Sequence, residues 1–339
     1  MTNEPIRFGL IGAGRIGSLH AESLASRLHS AELAAIADID RPSAEALAAR
    51  WRIPEVFEDY HAILSNREID AVAVCSATDT HALIICEAAA AGKHIFCEKP
   101  IDHDLAKIDA ALKAVAEAGV LFQVGFNRRF DANFRKVRDL IREGHIGEPH
   151  ILRITSRDPA PPPLDYIRVS GGIFLDMTIH DFDMARYLIG SEVTQVFTAG
   201  GVMVDEAIGA AGDLDTAVIT LWFENGAIGT IDNSRQAVYG YDQRVEVFGS
   251  KGMARVDNNY PDSHVFSHAG GVESARPLYF FLERYMESYV AEMEAFVEAI
   301  RIVAPTPVNG EDGRIPVVMG LAAARSYREN RPVLLSEIE

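Results

Sequence analysis

The glycines Gly12, Gly14 and Gly17 directly follow the apolar run Ile6–Ile11, and a helical pattern opens near Ile16. A strand that passes through G-x-G-x-x-G into a helix leaves few folding choices, because each glycine answers a separate steric demand. Gly12 permits the tight turn, Gly14 lets backbone N–H groups approach a pyrophosphate, and Gly17 allows the helix to pack closely. Arg15 and Ile16 complete the candidate loop, and the helix N-terminus presents unbonded N–H groups and a positive dipole end to an anion. A glycine turn with no ligand is the competing reading, and the strand before and helix after weigh against it.

From Ile6 to Val124 short β-type runs alternate with helical ones, the signature of βαβ units around a parallel sheet. Ile6–Ile11, Leu33–Ala37, Ala71–Cys75, His94–Cys97 and Val120–Val124 are apolar at nearly every position, as strands covered on both faces should be. Ser43–Trp51, Thr80–Ala91 and Asp104–Ala118 carry helical spacing, with Gly92 and Gly119 placed as caps. Beyond Gly125 the pattern changes. A helix around Phe134–Ile141 ends at Gly144, and strands dominate from about Val193 to Val256. Asn225-Gly226 joins one hairpin, and Gly249–Gly252 joins another. Long helical patterns span Tyr279–Ile302 and Glu311–Arg328, and Pro159–Pro163 predicts a stiff extended loop. The expected class is α/β, with a doubly wound parallel sheet in a dinucleotide-binding domain over 1–125. An α+β domain with an antiparallel sheet follows over 126–339, and its last helix is free to pack back on the first domain.

Lys plus Arg total 32 against 49 Asp plus Glu, a formal charge of −17, and no basic stripe tracks a phosphate backbone. Nucleic acid is excluded as a partner. No apolar run approaches bilayer length and Ile6–Ile11 is too short for a secretory core, so a soluble cytoplasmic protein is expected. Cys75, Cys86 and Cys97 form no CxxC pair and read as reduced structural thiols.

Asp38 ends the second strand about 20 residues past the glycine loop, where a carboxylate accepts ribose hydroxyls and repels a 2′-phosphate. This favours NAD over NADP, with Arg41 as the one residue that leaves room for the latter. Lys99, between Glu98 and Pro100, lies past the end of the fifth strand on the same sheet edge, where open α/β sheets bind ligands. Ser76, Glu98 and Lys99 join the candidate cofactor contacts. Asp176 and His180 are four apart, so one helix would place them on one face, and a carboxylate beside an imidazole strengthens it as a base. A cofactor cradle, a cation and a buffered base together suit hydride abstraction from an alcohol. A metal site at Asp176, His180 and Asp183 is disfavoured because Lys99 would compete with the ion. His20, His81, His94 and His103 lack nearby carboxylates in sequence and are expected to pack at the surface or at helix ends. Tyr279, Phe280, Phe281, Tyr285 and Tyr289 read as a packed helix face.

These motifs resemble, over nearly the whole chain, the Gfo/Idh/MocA family of NAD(P)-dependent sugar and inositol oxidoreductases that includes glucose-fructose oxidoreductase. The stretches Gly125–Asp131, Ser156–Pro159 and Phe174–Asp183 are similar to its inositol dehydrogenase branch. The resemblance implies a Rossmann domain followed by a domain with a large open antiparallel sheet. It also implies NAD-dependent oxidation of a ring hydroxyl of myo-inositol to the 2-keto product. Lys99, Asp176 and His180 would be catalytic, with Arg128, Asp158, Asp183 and Tyr241 near the polyol. Some relatives carry an amide at position 158, so Asp158 leaves the exact hydroxyl contacts open. Scyllo-inositol, another isomer or an aldose would undergo the same chemistry, and a cofactor-sensing regulator would need the glycine loop alone. In Ala217–Phe223 both alternating sets are largely apolar. Helices of one chain cover only one face, so the other is expected to pack on a second copy, and the resemblance implies a homotetramer.

Overall fold

The structure, a computed structural model, describes residues 4–338. It divides into two compact units. One holds the chain up to Phe130 together with Glu287–Ile315, and the other holds Asp131–Met286 with the chain from Pro316 onward. The sequence places the break at 125/126, five residues earlier, and leaves the last helix free to pack back; the segment grouped with the first unit is Glu287–Ile315, which ends within that helix.

The first unit is built on six parallel strands: β1 (Ile6–Ile11), β2 (Ala31–Ala37), β3 (Glu55–Phe57), β4 (Ala71–Val74), β5 (His94–Glu98) and β6 (Phe122–Gly125). Their order is β3-β2-β1-β4-β5-β6, so the winding reverses between β1 and β4 and opens a crevice at the strands' carboxyl ends. Every β4 residue is buried, as two-sided coverage requires. Phe8, Leu10, Ile36 and Phe96 form the core with Met293, Phe296 and Val297 of the returning segment, and the Phe8 and Phe296 rings meet edge to face at 6.1 Å. Asp104 caps the helix Leu105–Ala118 by accepting the Ala106 N–H, and Gly119 ends it in the left-handed conformation.

The second unit carries a seven-stranded sheet. Its strands are β7 (Pro149–Arg157), β8 (Val193–Gly201), β9 (Thr216–Phe223), β10 (Ile228–Ser234), β11 (Asp242–Gly249), β12 (Gly252–Val256) and β15 (Val333–Leu334). A separate exposed hairpin pairs β13 (Val265–His268) with β14 (Gly271–Ser274). The sheet order is β12-β11-β7-β10-β9-β8-β15. All pairs are antiparallel except β7 with β10, which run parallel with Ile151 opposite Ile228, so the expected antiparallel sheet is mixed at its centre. Asn225-Gly226 makes the expected β9–β10 hairpin, with Gly226 at φ +86. Along β9, Ala217, Ile219, Leu221 and Phe223 are buried, whereas Val218 is 50% exposed. The sheet thus has one packed face, against helices that include Thr178–Ile189, and one open face.

Candidate active site

In the first unit the glycine loop joins β1 to the helix Arg15–Glu22. Gly12 sits at φ +104, and a Cβ there would lie 2.6 Å from the Cys75 backbone. A Cβ on Gly17 would come within 2.0 Å of the Gly12 carbonyl, whereas one on Gly14 would meet nothing within 4 Å. Two glycines therefore serve packing, and the third faces open space. The helix has no side-chain cap and no acid in its first turn, so its leading N–H groups remain suited to an anionic ligand. Asp38 follows β2, and its Oδ2 accepts the Ala13 N–H at 2.6 Å while Oδ1 accepts the Asp40 N–H at 2.8 Å. The carboxylate thus ties the loop to the end of β2 and carries negative charge at the crevice rim. These residues fit an NAD adenosine half and its pyrophosphate.

Ser76 follows β4, with its hydroxyl 2.7 Å from that of Thr80. The buried His81 ring spans the carbonyls of Pro100 and Ser76 at 2.9 and 3.0 Å. Burial pushes its pKa down, and a neutral ring can donate to only one of the two. Lys99 follows β5, and its N–H donates to Glu98 Oε2 at 3.3 Å. Arg128 is buried in the 3-10 turn Asn127–Phe130 after β6, at the same carboxyl edge.

His20 departs from expectation. Its Nε2 lies 2.6 Å from Glu98 Oε1, both groups are buried, and the fully buried carboxyl of Glu292 stands beside them. The expected packing role without a carboxylate partner is corrected: Glu98 is 78 positions away in sequence and reaches His20 only through the fold. Burial, then the charge of Glu98, pushes the Glu292 pKa well above the usual carboxylate range. Among the described residues these three are the one group of His, Cys or acids close enough to suggest a metal site. Two donors on one tetrahedral zinc stand about 3.3 Å apart, so the 2.6 Å His20–Glu98 contact is a hydrogen bond rather than a shared ion.

In the second unit, Gly171 and Gly172 at φ +83 and +77 open a one-turn helix, Gly172–Asp176. A one-residue turn at Met177 separates it from the helix Thr178–Ile189. Met177 itself stays in the right-handed helical region and its N–H still donates to the Ile173 carbonyl at 3.0 Å, so the spacing of four runs across a one-residue interruption of the helix. Asp176 closes the short helix, and His180 lies in the first turn of the next. The Asp176 carboxylate is held at both oxygens, Oδ1 by the Tyr166 hydroxyl at 2.8 Å and Oδ2 by Arg235 Nη1 at 3.1 Å. Arg235 also reaches Asp213 Oδ2 at 3.3 Å. Its burial opposes the charge, but Asp176 and Asp213, with Asp158 contributing, raise its pKa. Asp158 follows β7; its backbone N–H donates to Ser234 and its carbonyl accepts from Ala237. Asp183 is fully buried on Thr178–Ile189. Tyr241 is buried just before β11, its ring edge to face with Tyr285 at 6.0 Å. Asp181 accepts from Asn233, which itself accepts from Thr178, a structural brace. Of the aromatic run, Tyr285 and Tyr289 are buried and Tyr279 is exposed.

Arg235, Tyr166 and Asp213 join this site with no motif in the sequence to mark them. Arg235 stands 59 positions from Asp176 and 22 from Asp213, beyond any local spacing rule.

Residues 6–126 match the family model described as an oxidoreductase family with an NAD-binding Rossmann fold, and residues 134–255 match the GFO/IDH/MocA C-terminal domain. The chain is 51% identical over 333 residues to myo-inositol 2-dehydrogenase of Thermotoga maritima, covering 98% of this chain and 99% of that one. It is 46% identical over 332 residues to inositol 2-dehydrogenase of Rhizobium meliloti, covering 98% and 99%. Among solved structures, scyllo-inositol dehydrogenase from Lactobacillus casei with bound NAD(H) and scyllo-inositol superposes with a TM-score of 0.92 at 30% identity, over 98% of this chain and all of that one.

Proposed function

Because this chain belongs to the GFO/IDH/MocA oxidoreductase family, we propose that it oxidises a ring hydroxyl of myo-inositol to the 2-keto-inositol with NAD as acceptor. The observation that carries the reading is 51% identity over almost the full length to a myo-inositol 2-dehydrogenase. The open approach at Gly14, the uncapped helix N-terminus and the acid at Asp38 support cofactor binding on the first unit. Bound NAD supplies the hydride acceptor; the chain's own groups handle the proton and the charge. His180 takes the hydroxyl proton, Asp176 supports the imidazolium that results, and Lys99 stabilises the oxygen as negative charge develops. Arg128, Asp158, Asp183 and Tyr241 orient the remaining hydroxyls.

No helix among the described residues is long and apolar enough to cross a membrane. Free cysteines and an NAD requirement suit the cytoplasm. The open sheet face, with Ile151, Val218, Ile228 and Phe248 exposed, supports a two-fold contact between copies, and two such dimers would form a tetramer. Steady-state assays following reduced cofactor across a polyol panel test the function. Myo-inositol should give the highest kcat/KM with NAD. Preference for scyllo-inositol would move the assignment to that isomer, and no turnover of any polyol would overturn it.

A further inference from the structure

Asp176 ends a helix of five residues, followed at once by a one-residue turn at Met177. A single turn does not hold its shape by its own hydrogen bonds, so the direction of the Asp176 carboxylate must be fixed from outside. Beside the Tyr166 hydroxyl on Oδ1, one acid and one guanidinium do this. Asp213 Oδ1 accepts the Ile173 N–H at 2.9 Å, securing the start of the turn, while Asp213 Oδ2 meets Arg235 Nη2 at 3.3 Å. The other arm of the fork, Nη1, holds Asp176 Oδ2 at the end of the turn. A Cβ at Gly172 would sit 2.8 Å from Asp213 Oδ1, so a glycine there lets the acid close on the turn. Arg235 is itself fixed, since its N–H donates to the Asp215 carbonyl at 2.8 Å and its side chain is 1% exposed.

We propose that Arg235 is a positioning residue for the oxidation, which splints the turn Gly172–Asp176 between Asp213 and Asp176 and thereby aims the Asp176 carboxylate. The inference rests on the reading of Asp176 as the support of His180. A lysine would keep the charge, but one ammonium cannot span two carboxylates as a planar fork does. Misaiming a supporting carboxylate by a fraction of an ångström costs turnover more than binding.

The test is a double-mutant cycle on the full chain, with myo-inositol as substrate. Arg235→Lys should lower kcat about 10- to 100-fold and leave KM for NAD within about twofold. In an Asp176→Asn background the same change should cost less than about threefold, because the group it aims has lost its charge. Wild-type kcat in Arg235→Lys, or losses that multiply fully in the double variant, would overturn the proposal. If Arg235→Lys does not fold, Asp213→Asn weakens the splint's other anchor and is judged by the same cycle. Wild-type protein that turns over no polyol refutes the functional reading instead, so the two failures are distinguishable.

Discussion

Replacing Asp38 separates two jobs that the structure gives one carboxylate. Its Oδ2 holds the Ala13 N–H at 2.6 Å inside the glycine loop, and Ala13 is buried. In Asp38→Ala that N–H loses its partner, which costs about 1–3 kcal/mol and loosens the cradle for any dinucleotide. The second job is discrimination. A charge-assisted bond to a ribose hydroxyl contributes about 1.5–3 kcal/mol to NAD. Repulsion of a 2′-phosphate about 5 Å away adds about 3 kcal/mol per unit charge at an effective dielectric near 20. The loosened loop affects both cofactors alike and cancels in the ratio of their kcat/KM values. The other two terms do not cancel, so the NAD-to-NADP ratio should fall by about 10³- to 10⁴-fold, corresponding to about 4–6 kcal/mol. The assay is steady-state kinetics with both cofactors at saturating myo-inositol, alongside a thermal melt that reports the loop cost. Comparable wild-type efficiency with both cofactors, or an unmoved ratio in Asp38→Ala, would refute the assignment of Asp38 as the selector.

Three further outcomes are expected. Lys99→Ala and His180→Ala should each abolish most turnover while calorimetry still detects NAD binding; near wild-type turnover in either removes that residue from the mechanism. On β9, aspartate at Val218 and Trp222 should yield folded subunits that sediment as smaller assemblies. Aspartate at Ile219 and Leu221, both fully buried, should unfold the chain by burying an unpaired charge; a wild-type protein that sediments as a monomer removes the interface. Glu292 is raised in the fold by burial and then by Glu98, so it favours folding below the unfolded carboxylate pKa of about 4.3 and loses that contribution as pH rises toward its folded value. Glu292→Gln should therefore gain melting temperature relative to wild type progressively above about pH 4.3, and a difference independent of pH from 4 to 8 would contradict a buried titrating acid.

The parallel sheet was legible because two-sided burial demands apolar strands, and the runs at β1, β2, β4, β5 and β6 show it. Glu55–Phe57 escaped notice since three residues with one exposed member carry no period. Alternation along β7 and β10 says which side chains face inward, but parallel and antiparallel neighbours leave the same alternation, so the parallel pair was invisible. A spacing of four suits a helix, and nothing in the residue types around Met177 marks the one-residue turn that divides the helix between Asp176 and His180. The glycine loop could be read locally since its demands are steric and adjacent. The His20–Glu98 contact and the Arg235 splint join residues far apart in sequence, and only the folded topology creates them.

In the proposed reaction hydride leaves a ring carbon of myo-inositol for the nicotinamide. Myo-inositol carrying deuterium at C2 follows that hydride, with the reduced cofactor and the product analysed by mass spectrometry. The reduced cofactor should carry one deuterium, the 2-keto-inositol should be free of the label, and turnover should be slower than with unlabelled substrate wherever hydride transfer limits the rate. Reduced cofactor without deuterium, or a product that keeps the label at C2, would contradict that transfer.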